Sequence, residues 1–255
     1  MLRAILTVMS RRSEDASIWE HLEELRRRLF FALGAWLAAA SIAFSFRFAL
    51  LDWLKQPLPP GLTLHTFHLM EPLTVSIQIA AFFGLVLASP VIGGQIWGFV
   101  SPGLYPSERR WAVPFILLTV LAFAMGVLFA RYVALPFSVP IITGFLEGEA
   151  TMLLSTASYI STIVLFMSVF GLVFELPVLA FLLAKLGIID APMLVRQRRI
   201  AILAGVVLAA AITPTVDPFN LAIVAVPLIL NYELSIIVVR LAQVRKVAGG
   251  IEGAS

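Results

Sequence analysis

Cysteine is absent from the chain, and charge is scarce: only 13% of its 255 residues are Asp, Glu, Lys or Arg, against about 25% in a soluble domain. Without cysteine there is no disulfide framework and no thiolate metal or redox chemistry. Histidine occurs three times, as His21, His65 and His68, always outside the long apolar runs. An intramembrane serine protease would therefore lack its base. No His-Glu-x-x-His sequence offers a metalloprotease site, and Asp52, Asp190 and Asp217 supply no paired aspartyl dyad at membrane depth. The chain reads as a non-enzyme that calls for no cofactor, no metal and no nucleic acid. In place of charge there is hydrophobicity, at 60% of residues and a mean hydropathy of +0.99. That composition belongs to a polytopic membrane protein.

Apolar runs broken by charge, proline and glycine predict an all-α fold with six transmembrane helices, roughly Leu29–Phe46, Leu73–Val100, Trp111–Ala130, Ala157–Ala184, Ile200–Thr213 and Phe219–Val239. The expected organisation is a cytoplasmic tail with an amphipathic lead-in helix over 1–28, a six-span domain over 29–239 and a cytoplasmic tail over 240–255. Residues 1–28 are too charged for a removable signal peptide. Six Lys or Arg residues precede the first span, two lie between the second and third, four between the fourth and fifth, and three follow the sixth. Only Arg47, Lys55 and Arg131 remain for the opposite side. This asymmetry predicts that both termini are cytoplasmic.

Several spans depart from plain helices. Pro90, Pro177 and Pro227 interrupt spans two, four and six and predict kinks. The fifth run has 14 residues before Pro214 and reaches only ~21 Å, so this edge is expected to thin the local bilayer or admit water. The outer segments Leu51–Pro72 and Ala134–Thr156 are long, mildly apolar and rich in proline and glycine. They are expected to pack on each other as a structured cap.

One charge breaks the pattern. Between Glu149 and Lys185 the sole charged residue is Glu175, inside the fourth span. A carboxylate at that depth costs about 2.5 kcal/mol or more unless protonated, paired or wetted. Ser161, Thr162 and Ser168 are candidate partners for a protonated form. A proton-coupled secondary transporter using Glu175 is the alternative reading, although no internal repeat supports it.

Two further segments carry chemistry at the cytoplasmic edge. In Ile18–Arg28, His21, Glu24 and Arg28 recur at i, i+3 and i+7 and share one helical face. Alone, this segment reads more readily as a solvated interfacial helix with Glu23–Arg27 and Glu24–Arg28 pairs. The loop Phe99-Val-Ser-Pro-Gly-Leu-Tyr-Pro-Ser-Glu108-Arg-Arg is stiffened by two prolines around a single acid.

His21-Leu-Glu-Glu-Leu-Arg-Arg-Arg28, Pro102-Gly-Leu-Tyr-Pro-Ser-Glu-Arg-Arg110, Phe170-Gly-Leu-Val-Phe-Glu-Leu-Pro-Val178 and Thr213-Pro214 followed by Asp217 occur in that order. With them, nearly the whole chain resembles the TatC family of twin-arginine translocase subunits. The resemblance implies a receptor in the bacterial cytoplasmic membrane for the signal peptides of folded cargo. It implies Glu24 and Glu108 as the arginine-recognising acids, with His21, Arg26 and Phe99 supporting the recognition region. It also implies Glu175 as the intramembrane polar site, and Pro57 and Asp217 as outer-face positions. Single-span TatA/TatB proteins are the implied partners, alongside the lipid bilayer and further copies of the chain.

Overall fold

The computed structural model describes residues 2–103, 112–144, 153–213 and 217–252, with backbone alone described for 2–18 and 244–252. The expected all-α membrane architecture is present. Nine helices run α1 Leu2–Ser45, α2 Arg47–Lys55, α3 Glu71–Val100, α4 Ala112–Phe129, α5 Leu135–Gly144, α6 Thr156–Phe174, α7 Leu176–Lys185, α8 Ala191–Ile212 and α9 Pro218–Glu252 among the described residues. Five stretches are long and apolar enough to cross a membrane: Trp19–Ser45, Glu71–Val100, Ala112–Gly144, Thr156–Lys185 and Pro218–Gln243.

The fifth expected run lies inside α8, and here the helix differs from the expectation. It has 22 residues rather than 14 and starts at Ala191, before the arginines. Asp190 caps it by accepting from Met193 N at 2.7 Å, and Pro192 occupies the first turn. The helix therefore spans about 33 Å. Only its apolar portion is short.

α1 lies antiparallel along α3; α3 packs on α4 and α6, and α9 on α7 and α8. At the centre is α6, whose Ile160, Ile163, Phe166, Met167 and Phe170 are almost fully buried against Phe123, Val127, Val75 and Ile79. The helices α4 and α6 approach unusually closely. A Cβ on Gly126 would collide with the carbonyl oxygen of Phe170, and one on Gly171 with the Phe123 ring. Leu29, Phe31, Phe48, Val113, Leu203 and Leu230 instead point outward. Such a continuous apolar exterior suits hydrocarbon rather than water.

Of the three span prolines, only Pro177 stands at a break between helices; the other two lie inside continuous ones. Pro90 sits inside α3 and cannot donate to Val86 O; Ser89 Oγ donates to that carbonyl instead, at 2.8 Å. The fourth span breaks at Glu175, with Pro177 in the first turn of α7. Pro227 lies within α9, and Asn231 Nδ2 donates to its carbonyl at 3.0 Å.

The two outer segments do pack on each other. Strand β1 (Leu64–His65) pairs in parallel with β2 (Leu154–Ser155), with Leu64 opposite Leu154 and His65 opposite Ser155. Tyr159 OH donates to Leu54 O at 3.1 Å, and Thr156 Oγ1 to His65 O at 3.1 Å. Between α4 and α5 the turn Ala130–Ala134 is a π-helix carrying buried Arg131. Its Nη2 donates to Trp53 O at 3.0 Å and Gln56 Oε1 at 2.7 Å, and its guanidinium lies 4.9 Å from the Trp53 ring centroid. Pro57, next in sequence to Gln56, is buried in this cap.

Candidate functional site: the charged end of α1 and α3

The helical stripe expected from spacing is realised as a line of contact. α1 turns His21, Glu24 and Arg28 toward the last turn of α3. The His21 ring stacks on Phe99 with centroids 4.4 Å apart and planes 21° apart. Glu24 Oε1 accepts from Arg28 Nε at 2.9 Å and from Arg28 Nη2 at 2.6 Å. His21 Nδ1 stands 3.9 Å from Glu24 Oε2. Arg28 lies across Gly98, where any Cβ would meet its guanidinium. The sequence did not single out Gly98. Its only signal was a glycine directly before Phe99.

Glu24 is thus about one-quarter exposed and already holds a guanidinium through two donors. The contact is local and intrahelical, and its partner is a flexible side chain. Such a carboxylate can exchange one guanidinium for another without disturbing the backbone. Arg26 leaves α1 on a different face. Its guanidinium lies 6.0 Å from the Phe30 ring centroid, and with Arg27, Phe30 and Phe31 it lines a cavity of about 670 Å³ beside Val91 of α3. His21, Glu24 and Phe99 therefore come together, and Arg26 does not join them. Glu108 lies outside the described residues.

Glu175 stands apart from this cluster, at the junction of α6 and α7. Its backbone N–H reaches Leu172 O at 3.2 Å, a tightened turn, and its own carbonyl accepts from Leu179 N at 2.9 Å. The carboxyl is buried, and Oε1 has no hydrogen-bond partner among the described residues. Two of the expected partners are engaged elsewhere: Ser161 Oγ donates to Gln78 Oε1 at 3.1 Å and Thr162 Oγ1 to Ser158 O at 2.9 Å.

Asp217 caps α9. Its Oδ1 accepts from Asn220 N at 2.8 Å and its Oδ2 from Asn220 Nδ2 at 3.0 Å, with Pro218 as the first helical residue.

A family model for the Sec-independent protein translocase protein TatC matches residues 20–227. The chain belongs to the TatC family. It is 44% identical over 237 residues to the Sec-independent protein translocase protein TatC of Deinococcus radiodurans, covering 90% of this chain and 88% of the relative. Identity to the Aquifex aeolicus TatC is 37% over 232 residues, covering 89% and 96% respectively. A crystal structure of the twin-arginine translocase receptor TatC superposes with a TM-score of 0.79 at 36% identity, covering 88% of this chain and 99% of that one. The chain is therefore a multi-pass membrane component of a protein translocase and not an enzyme.

Proposed function

We propose that this chain is the receptor and core subunit of a twin-arginine export system. It resides in the bacterial cytoplasmic membrane with both termini in the cytoplasm, reads the signal peptides of folded cargo, and nucleates the translocase with TatA/TatB-type single-span partners. The observation that carries this reading is the Glu24 carboxylate, presented at the charged end with a guanidinium already seated on it. A signal-peptide arginine takes the place of Arg28 on Glu24. Glu108 takes the second arginine, since adjacent residues of an extended peptide point to opposite sides. Lysine is a poor substitute, because its compact ammonium cannot offer the planar fork. His21 stacked on Phe99 braces the α1 stripe against α3. Buried Glu175, with an oxygen unpaired in the described residues, serves a later docking step with the signal's apolar segment or a partner helix. Pro57 and Asp217 shape the outer face.

The test is binding of a twin-arginine signal peptide to the purified protein, with photo-crosslinkers placed at 24, 108 and 175. Glu24→Ala and Glu108→Ala should each weaken binding about tenfold or more, as expected for losing charge-assisted hydrogen bonds. Replacing the peptide's Arg-Arg by Lys-Lys should weaken it comparably. Unchanged affinity in both single variants and in the double variant sinks the reading.

A further inference from the structure

The orientation leaves three cations on the capped side, and they have different fates. Arg131 is buried and donates to Trp53 O and Gln56 Oε1. Arg47 and Lys55, one at each end of α2, line a single cavity of about 270 Å³ between α2, β1 and the start of α3. The floor is apolar, made by Leu51 with buried Val75 and Ile79, and Ser76 stands beside it. No acid is among the lining residues. The Arg47 guanidinium is held by the Phe44 and Phe48 rings, 4.7 and 4.3 Å from their centroids, and by Phe44 O at 3.2 Å. No carboxylate pairs with it among the described residues. Lys55 reaches Asp52 at 3.5 Å, but Asp52 is 77% exposed and turned to solvent, so that pair leaves the ammonium available.

We propose that this cavity binds the headgroup of an anionic phospholipid. Two cations facing one space without an acid fit a phosphodiester, and Arg47 offers it planar donors. The floor argues for a lipid over a soluble anion. Val75 and Ile79 lie one and two turns into a membrane-crossing helix, and the mouth opens beside Phe48, which is 66% exposed. A soluble anion would gain nothing from that apolar floor, whereas a glycerol backbone and the first acyl carbons would cover it. The site stands independently of signal-peptide recognition. The proposed orientation determines only that the lipid comes from the outer leaflet.

The experiment exposes the purified full-length protein to vesicles of equal phosphatidylglycerol and phosphatidylcholine, re-extracts it, and measures the ratio of the two lipids retained by mass spectrometry. Phosphatidylglycerol should be enriched on the unmodified protein. Each cation near a membrane surface strengthens anionic-lipid binding about fivefold, so Lys55→Gln should lower the enrichment about fivefold and Arg47→Gln with Lys55→Gln about thirtyfold. Ser76→Phe fills the cavity and keeps both cations, and it should also abolish enrichment. Thermal unfolding of each variant establishes that it is folded, and Lys55→Gln, at a partly exposed side chain, carries the test if the double variant is not. Enrichment unchanged in Lys55→Gln or in Ser76→Phe overturns the proposal. Displacement of the lipid by glycerol 3-phosphate at equal concentration overturns it in favour of a soluble anion.

Discussion

Glu24 and Glu71 sit at opposite ends of the bundle, one near the start of the Trp19–Ser45 stretch and the other in the first turn of α3. Their surroundings could hardly differ more. Glu24 has one guanidinium partner four residues away on its own helix. Glu71 gathers four donors from two segments outside its own helix. Its Oε2 accepts from Phe67 N at 2.8 Å and His68 N at 3.3 Å, and its Oε1 from Ser155 Oγ at 2.7 Å and Ala157 N at 2.7 Å. The first outer segment, the start of α3 and the start of α6 are thereby tied to one side chain. Ser155 meanwhile caps α6 by accepting from Ser158 N at 3.3 Å. A carboxylate saturated by backbone donors cannot take a ligand, and one held by a single flexible side chain can. The capped end is built to stay and the charged end to exchange.

The largest break in that comparison should come from Glu71→Ala. It strands the N–H groups of Phe67, His68 and Ala157 together with the Ser155 hydroxyl, four part-buried hydrogen bonds lost at once, and unties the two outer segments. The melting temperature of the purified protein should fall by roughly 5–10 °C or more. Glu71→Gln should fall less, because an amide retains one acceptor oxygen while turning donors toward donors. Twin-arginine peptide affinity, measured well below the melting temperature, should change little in either variant. A lost affinity with intact stability would show that the two ends are coupled and that the contrast is misdrawn.

The two ends were unequally legible from the sequence. Glu24 was found because its stripe is local: His21, Glu24 and Arg28 repeat at helical spacing, and the resemblance pointed to the same residues. Glu71 was not singled out. It reads as an ordinary acid ahead of a proline at a helix start, and two of its partners lie 84 and 86 residues further along. The cap itself was foreseen from composition, but the strand pair and the buried Arg131 that hold it are non-local. The start of α8 was missed for a different reason. Its Asp190-Ala-Pro cap signal was present, but hydropathy marks where the lipid begins, not where the helix does. Pro177 did announce the break in the fourth span. The unpartnered Glu175 oxygen among the described residues was not legible in the same way: Ser161 and Thr162 lie 14 and 13 residues earlier on the same helix, about 20 Å away along its axis, and cannot reach it.

A smaller effect tests the exchange directly. If the peptide's arginine replaces Arg28, then Arg28→Gln removes a competitor and should raise peptide affinity. The intrahelical pair is of a kind worth little, so the gain is about twofold. It should be larger at low salt, because a neighbouring positive charge is removed as well, and should shrink as salt screens that repulsion. Titration of labelled peptide at two ionic strengths reads both. A fall in affinity would mean that Arg28 instead holds Glu24 in its binding position.

The finest test uses Gly98. A Cβ there would meet the Arg28 guanidinium, the far end of a flexible side chain, so Gly98→Ala should push the arginine aside without moving the backbone of α3. Part of the Glu24 carboxylate is then released, and peptide affinity should rise, by less than with Arg28→Gln because the displaced guanidinium stays nearby. The two substitutions act through the same contact and so should not add. Placed in the Arg28→Gln background, Gly98→Ala should leave affinity unchanged. If it still alters affinity there, the added methyl is touching the peptide, and Gly98 belongs to the binding surface rather than to the seat of Arg28.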